Sequence, residues 1–190
     1  MYLIIFVWHR QTKRKSERGS HMVMYRVREM RDRDVEEVSA IEQASFGEPW
    51  SREAFESLLT HQHMEALVLS ECCEEHPTLC AVVGYCGLIT VLDEAEITNI
   101  AVRADRRGHG YGQMLLSDVL RRLADGGTHQ VYLEVRVSNY RAIHIYEKAG
   151  FRQVGIRKHF YSNPTEDGYL MRLEIPAAGD RSTTEESSDI

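Results

Sequence analysis

The chain has 190 residues, 43% of them hydrophobic, and a formal net charge of −6. That length can bury a full core in one domain, and that charge argues against a broad phosphate-binding surface for nucleic acid. No apolar run approaches the roughly 20 residues needed to cross a bilayer. The expectation is a cytoplasmic protein, a monomer or weak dimer, with neither nucleic acid nor membrane as a direct partner.

In chain order, Met1–Trp8 is apolar and His9–Arg18 polar and basic. A secretory signal has the reverse order, so none is read here. Residues 1–24 read as an N-terminal extension, disordered or an artefact of the start site. Residues 25–175 read as the domain. A strand is expected at Tyr25–Met30, a helix near Asp34–Phe46, and a second helix from Ser51, whose hydroxyl suits an N-cap. Strands follow near Ala66–Glu71, Leu79–Val91 and Glu94–Val102, then a helix over Gly112–Ala124. Next come a strand at Val131–Arg136, a helix over Asn139–Ala149, and strands near Arg152–Lys158 and Tyr169–Glu174. Cys72–Thr78 and Ser162–Gly168 read as loops, the second marked by Asn163-Pro164. Residues 176–190 read as a disordered acidic tail. This order suits an α/β (α+β) fold with a mixed, mostly antiparallel central sheet flanked by helices.

The four cysteines, Cys72, Cys73, Cys80 and Cys86, contain no C-x-x-C pair, and His76 lies among them without a common zinc spacing. No metal is expected, and free thiols in a reducing compartment are the simpler account.

The most informative segment is Arg107-Gly108-His109-Gly110-Tyr111-Gly112, between a strand and an amphipathic helix. Glycines there let the backbone turn sharply and approach a ligand closely. A helix N-terminus adds unpaired N–H groups and a positive dipole end, which together suit a phosphate or pyrophosphate. Gln113 stands where a Walker loop needs Lys, and G-x-G-x-G deep in the chain is not the dinucleotide spacing. Further on, Asn139 is a good N-cap, Ala142, Ile143, Tyr146 and Ala149 share one helical face, and Gly150 is a stop signal. By periodicity alone, Tyr146 is a core tyrosine. Between the two motifs, Val131, Leu133 and Val135 alternate with Tyr132, Glu134 and Arg136. Glu134 thus faces away from the most apolar side of its strand, and composition alone makes it a solvated or salt-bridged glutamate, with Arg136 a candidate partner.

The glycine segment resembles the Arg/Gln-x-x-Gly-x-Gly/Ala loop of the GCN5-related N-acetyltransferases, the GNAT superfamily, and Asn-x-x-Ala-x-x-x-Tyr-x-x-x-Gly-Phe at 139–151 resembles the second half of that family's signature. Leu133-Glu134-Val135-Arg136-x-Ser138-Asn139 is similar to the Leu-Glu-Val-Arg-Ala-Ser-Asn stretch of its RimI-like branch, the ribosomal-protein-alanine N-acetyltransferases. Pro49-Trp50-Ser51, Leu92-Asp93-Glu94-Ala95, Asn99-Ile100-Ala101-Val102 and Arg157-Lys158-His159-Phe160-Tyr161 match that branch too, with Glu48 replacing an aromatic residue and Phe160 a tyrosine. The two departures bear on the acceptor pocket.

The resemblance implies acetyl-CoA as co-substrate and no metal. It implies Glu134 as proton acceptor and Tyr146 as proton donor. It implies that the backbone of Ile100, Ala101 and Val102 grips the pantetheine arm. Arg107, Gly108, His109, Gly110, Tyr111, Gly112 and Gln113 would hold the pyrophosphate, and Asn139 would contact the coenzyme. A terminal amine, with a reference pKa of about 7.7–8.0 against about 10.4 for lysine, is the easier nucleophile near neutrality. A glutamate near its ordinary 4.3 or so is a weak base, so partial burial is expected to raise Glu134. The implied partner is a protein with a free N-terminus, the terminal alanine of a small-subunit ribosomal protein. Two other readings stay open: a GNAT acting on a lysine side chain or small amine, and a module that binds acetyl-CoA without turning it over.

Overall fold

Apolar residues recur at every third or fourth position in the helical segments and at every second position in the central strands, and the elements follow that periodicity. The computed structural model describes residues 12–15, 22–73, 75 and 80–176. The apolar first residues, His76 and the acidic tail from Ala177 lie outside the described residues. Two compact units are present.

One unit comprises the chain to Gly87 together with Asn99–Asp118. It holds β1 (Thr12–Lys15), β2 (Met22–Glu29), α1 (Val35–Gln43), α2 (Arg52–Leu58) and β3 (Met64–Cys73), and most of β4 (Cys80–Val91). The end of β5 (Glu94–Val102) and the start of α3 (Tyr111–Asp125) also belong to it. Strands run in the order β1-β2-β3-β4, with β1 antiparallel to β2 and β2 antiparallel to β3, from Val23↔Cys73 to Glu29↔Leu67. Val35, Val38 and Ile41 of α1 pack with Phe55 and Leu58 of α2 and with Val68, Val82 and Tyr85 of the sheet. Full burial of each such side chain contributes about 1.5–3 kcal/mol. The entry to α1 is fixed by a buried pair: Arg28 on β2 donates to both oxygens of Asp34 at 2.6 and 2.7 Å, and Asp34 accepts the Arg31 N–H at 2.9 Å. Burial alone would raise Asp34, but the Arg28 hydrogen bonds and charge outweigh it and hold the carboxyl below its ordinary value.

The other unit comprises Leu88–Thr98 and the chain from Val119. It holds the remaining parts of β4, β5 and α3, then β6 (Gln130–Arg136), α4 (Tyr140–Lys148), β7 (Arg152–Ser162) and β8 (Thr165–Glu174). Here the order is β5-β6-β8-β7. β5 and β6 pair in parallel from Glu94↔Gln130 to Ile97↔Leu133, and the other pairs are antiparallel. Val131, Leu133 and Val135 of β6 are buried and the residues between them half-buried. The mixed, mostly antiparallel α+β architecture is the expected one.

Four local readings change. Thr12–Lys15 forms a strand on β2 where residues 1–24 suggested disorder; its Lys/Arg-rich sequence carries no apolar alternation to betray it. A short 3-10 turn at Asp32–Asp34 precedes α1, which ends at Gln43 rather than Phe46. The expected loop Ser162–Gly168 is mostly strand, because β7 and β8 run together up to a tight turn at Asn163-Pro164; β7 is exposed along nearly all its length and so has no period to read. Finally, Cys72 and Cys80 are joined by a disulfide, with free thiols at Cys73 and Cys86. Spacing along the chain does not show which residues a hairpin brings face to face. Both expected N-caps are in place: Ser51 Oγ accepts the Ala54 N–H and Asn139 Oδ1 the Ala142 N–H, each at 3.2 Å. No helix among the described residues is long and apolar enough to cross a membrane.

Candidate active site

The glycine turn lies in the first unit. Gly108 and Gly110 adopt φ of +86° and +82°, a region that L side chains rarely enter, and a Cβ at either would meet nothing within 4 Å. The constraint at these two positions is therefore conformational. Gly112 differs, since it sits in the first turn of α3 without a positive φ. The helix starts at Tyr111, one residue earlier than expected, and its first-turn N–H groups, those of Tyr111, Gly112 and Gln113 among them, have no carbonyl within their own helix to bond. Gly108, His109, Gly110 and Gln113 are exposed.

Side chains around the turn hold it from both sides. Arg107 donates to the Val102 carbonyl at 2.9 Å and to Ser45 Oγ at 2.8 Å, which ties the turn to the end of β5 and the exit of α1. Tyr111 is buried, and its hydroxyl donates to the Tyr25 hydroxyl at 2.7 Å. Tyr25 donates to Glu71 at 3.2 Å, and Glu71 pairs with Arg106 at 2.8 Å. Burial, with Tyr111 and Glu71 adding to it, raises the Tyr25 hydroxyl far above its ordinary value, so it stays a proton donor. Strand β5 passes close to β4: a Cβ on Gly84 would lie 2.7 Å from the Ala101 carbonyl oxygen, and Arg103 N–H donates to the Val83 carbonyl at 2.8 Å. Ala101 and Val102 are thereby set against a glycine that lets the two backbones approach, with Ile100 next to them on the strand.

The expected proton-transfer residues lie in the second unit. Glu134 is half-buried on β6, opposite Leu170 of β8. Its ion-pair partner is Arg157 of β7 at 3.3 Å, not Arg136. Arg136 instead closes the β7–β8 turn, donating to Glu166 at 3.2 Å and to the Pro164 and Asn163 carbonyls at 3.0 and 2.9 Å. Burial raises the Glu134 carboxyl above its ordinary value; Arg157 pulls it down, Glu96 pushes it up, and the balance is upward, as expected. Tyr146, on α4, is buried with its ring 5.9 Å from that of Phe151. Tyr161 on β7 is a phenol that feels this carboxylate: burial, then the Glu134 charge, push it up to about 12, against a downward pull from Arg136. The Arg136 guanidinium lies 4.2 Å from the centre of its ring. Asn139 is exposed and its amide oxygen caps α4. No group of three or more His, Cys, Asp or Glu suited to a metal occurs among the described residues.

The profile of the acetyltransferase (GNAT) family matches residues 15–151. The chain belongs to the GNAT acetyltransferases. Within that family its relatives are RimI-like. The Haemophilus influenzae [ribosomal protein bS18]-alanine N-acetyltransferase is 37% identical over 132 residues, covering 70% of this chain and 84% of its own. The crystal structure of the ribosomal-protein-S18-alanine N-acetyltransferase from Escherichia coli superposes with a TM-score of 0.72 at 31% identity, over 83% of this chain and 98% of that one. At the level of fold alone, Arabidopsis thaliana NAA60, solved in complex with acetyl-CoA, matches with a TM-score of 0.68 at 19% identity, over 80% and 98% of the two chains.

For a GNAT chain the sequence motifs name the turn but not its supports. Tyr25, Glu71 and Arg106 carry no motif, because each is a lone polar residue whose partner is remote in sequence. Glu42 had a visible signal. It lies four residues after Val38 and seven after Val35, on the buried stripe of α1, where a carboxylate is out of place.

Proposed function

We propose that the chain transfers the acetyl group of acetyl-CoA to the N-terminal α-amino group of a protein, and that its acceptor is the terminal alanine of a small-subunit ribosomal protein. The relatives named above support the acceptor. The observation that carries the chemistry is Glu134: a carboxylate half-buried on β6 and held above its ordinary value, suited to take a proton from an attacking amine. The amine attacks the thioester carbonyl. Glu134 accepts its proton, directly or through a water, and Tyr146 gives a proton to the departing thiolate of coenzyme A. Ile100, Ala101 and Val102 hold the pantetheine arm, where a backbone N–H polarises the carbonyl. The turn Gly108–Gly112, with Gln113, holds the pyrophosphate; Arg107 keeps the turn on β5, and Asn139 contacts the coenzyme. Tyr111 contributes its backbone, since its side chain is committed to Tyr25.

The deciding experiment is mass spectrometry of an Ala-starting ribosomal-protein peptide, a lysine peptide with a blocked N-terminus and a polyamine, each incubated with the chain and acetyl-CoA. A 42-Da gain (about one acetyl group) confined to the free α-amine supports the proposal. Equal or preferred modification of the lysine peptide or the polyamine refutes the acceptor, and coenzyme binding with no acetylated product refutes the transfer.

A further inference from the structure

α1 carries a carboxylate where periodicity calls for an apolar side chain. Glu42 is fully buried. Its Oε1 accepts two hydrogen bonds, from the Trp50 backbone N–H at 3.0 Å and from the Asn99 side-chain amide at 2.9 Å. Its Oε2 accepts from the Tyr85 hydroxyl. One side chain therefore joins four segments of the first unit: α1, the stretch leading into α2, β4 and β5. The Trp50 ring packs on Phe55 at 5.7 Å, and Phe55 meets the Tyr85 ring edge-on at 5.5 Å, which closes the circuit back to Glu42. A buried carboxylate without donors would be strongly destabilising, so the three bonds are what make it tolerable there.

Asn99 immediately precedes Ile100, Ala101 and Val102. We propose that Glu42 is a positioning residue for the coenzyme strand: through Asn99 it fixes the lateral placement of β5, so that the backbone after it is presented to acetyl-CoA in one register. This rests on the coenzyme half of the function proposed above, not on the identity of the acceptor. The pattern of bonds also says what Glu42 supplies. Both bonds that position main chain and strand fall on one oxygen. Glutamine keeps that oxygen; its amide NH2 can donate to the Tyr85 oxygen but cannot accept the Tyr85 O–H, so only the Tyr85 bond is given up. What the strand requires of Glu42 is the acceptor oxygen that Trp50 and Asn99 share.

The experiment is calorimetric titration of acetyl-CoA into the full-length protein and into Glu42→Gln, Glu42→Ala and Asn99→Ala, with Tm recorded for each. Glu42→Ala and Asn99→Ala are expected to weaken acetyl-CoA binding about tenfold, while kcat at saturating acetyl-CoA changes much less. Glu42→Gln is expected to bind within about twofold of the parent, since it keeps the bonds from Trp50 and Asn99. Glu42→Gln binding as weakly as Glu42→Ala, or Asn99→Ala binding like the parent, overturns the proposal. If Glu42→Ala does not fold, the Gln and Asn99 variants decide alone by the same criteria. A parent protein that binds no acetyl-CoA overturns this proposal together with the coenzyme reading. A parent that binds acetyl-CoA but acetylates no α-amine, with the variants behaving as expected, overturns the acceptor reading and supports the positioning role.

Discussion

The glycine turn and the Glu134 strand solve opposite problems. The turn is exposed, is proposed to act through backbone N–H groups, and depends on what is missing: side chains at Gly108 and Gly110. The β6 region is proposed to act through one carboxylate whose properties come from being half-buried among Arg157, Glu96 and Tyr161. The turn is therefore specified by φ angles and the carboxylate by its surroundings. Substitutions in the first should change how tightly the coenzyme is held, and substitutions in the second how fast the reaction runs.

The largest expected effect lies in the second region. Glu134→Gln should lower kcat by at least about 100-fold, with the KM for acetyl-CoA little changed, measured by initial rates on an Ala-starting peptide. Tyr146→Phe should lower kcat by about tenfold or more in the same assay. If either variant instead raised the KM for acetyl-CoA with kcat intact, the division between the two regions would be wrong. In the first region, Gly110→Ala forces a side chain into a left-handed conformation at a cost of about 1–2 kcal/mol, and should weaken acetyl-CoA binding about tenfold by calorimetry while leaving kcat near the parent value at saturation.

Smaller effects sharpen the contrast through pH. Arg157 pulls the Glu134 carboxyl down, so Arg157→Met should move the acidic limb of the kcat/KM profile toward higher pH. The shift should be modest, because Arg157 is about half exposed, with its side chain at 53%. The same raised carboxyl has a stability consequence whose sign is the reverse of an ordinary paired glutamate. A group raised in the folded state contributes its stability at low pH and loses it as pH rises through the folded value. Glu134→Gln should therefore have a Tm equal to or above the parent at neutral pH, and this advantage should vanish below about pH 4, where the parent glutamate is protonated in both states. A lower Tm for the variant at pH 7 would show that Glu134 is a structural rather than a reactive carboxylate.

The sequence was legible where local rules dominate. The caps Ser51 and Asn139, the alternation of β6 and the left-handed glycines all follow from neighbours a few residues apart. It was less legible where the decisive partner is remote. Glu134 pairs with Arg157, 23 positions away, rather than with Arg136 two positions away, because Arg136 is taken up by Glu166 and the carbonyls of the β7–β8 turn, partners just as remote in sequence. Tyr111 reads as part of a ligand loop, yet its side chain is anchored to Tyr25, 86 residues earlier. β7 escaped accurate delimitation because exposure removes the apolar period that would mark it. Glu42 is the intermediate case, since its position on an apolar helical stripe was visible and its three donors were not.

The seat of Trp50 has a practical consequence. The chain has two tryptophans, Trp8 and Trp50, so a Trp8→Phe version carries a single indole, tilted against the Phe55 ring, in a residue whose backbone N–H is bound to Glu42. Its fluorescence emission is then a built-in optical probe of that junction, readable without labels as coenzyme is added.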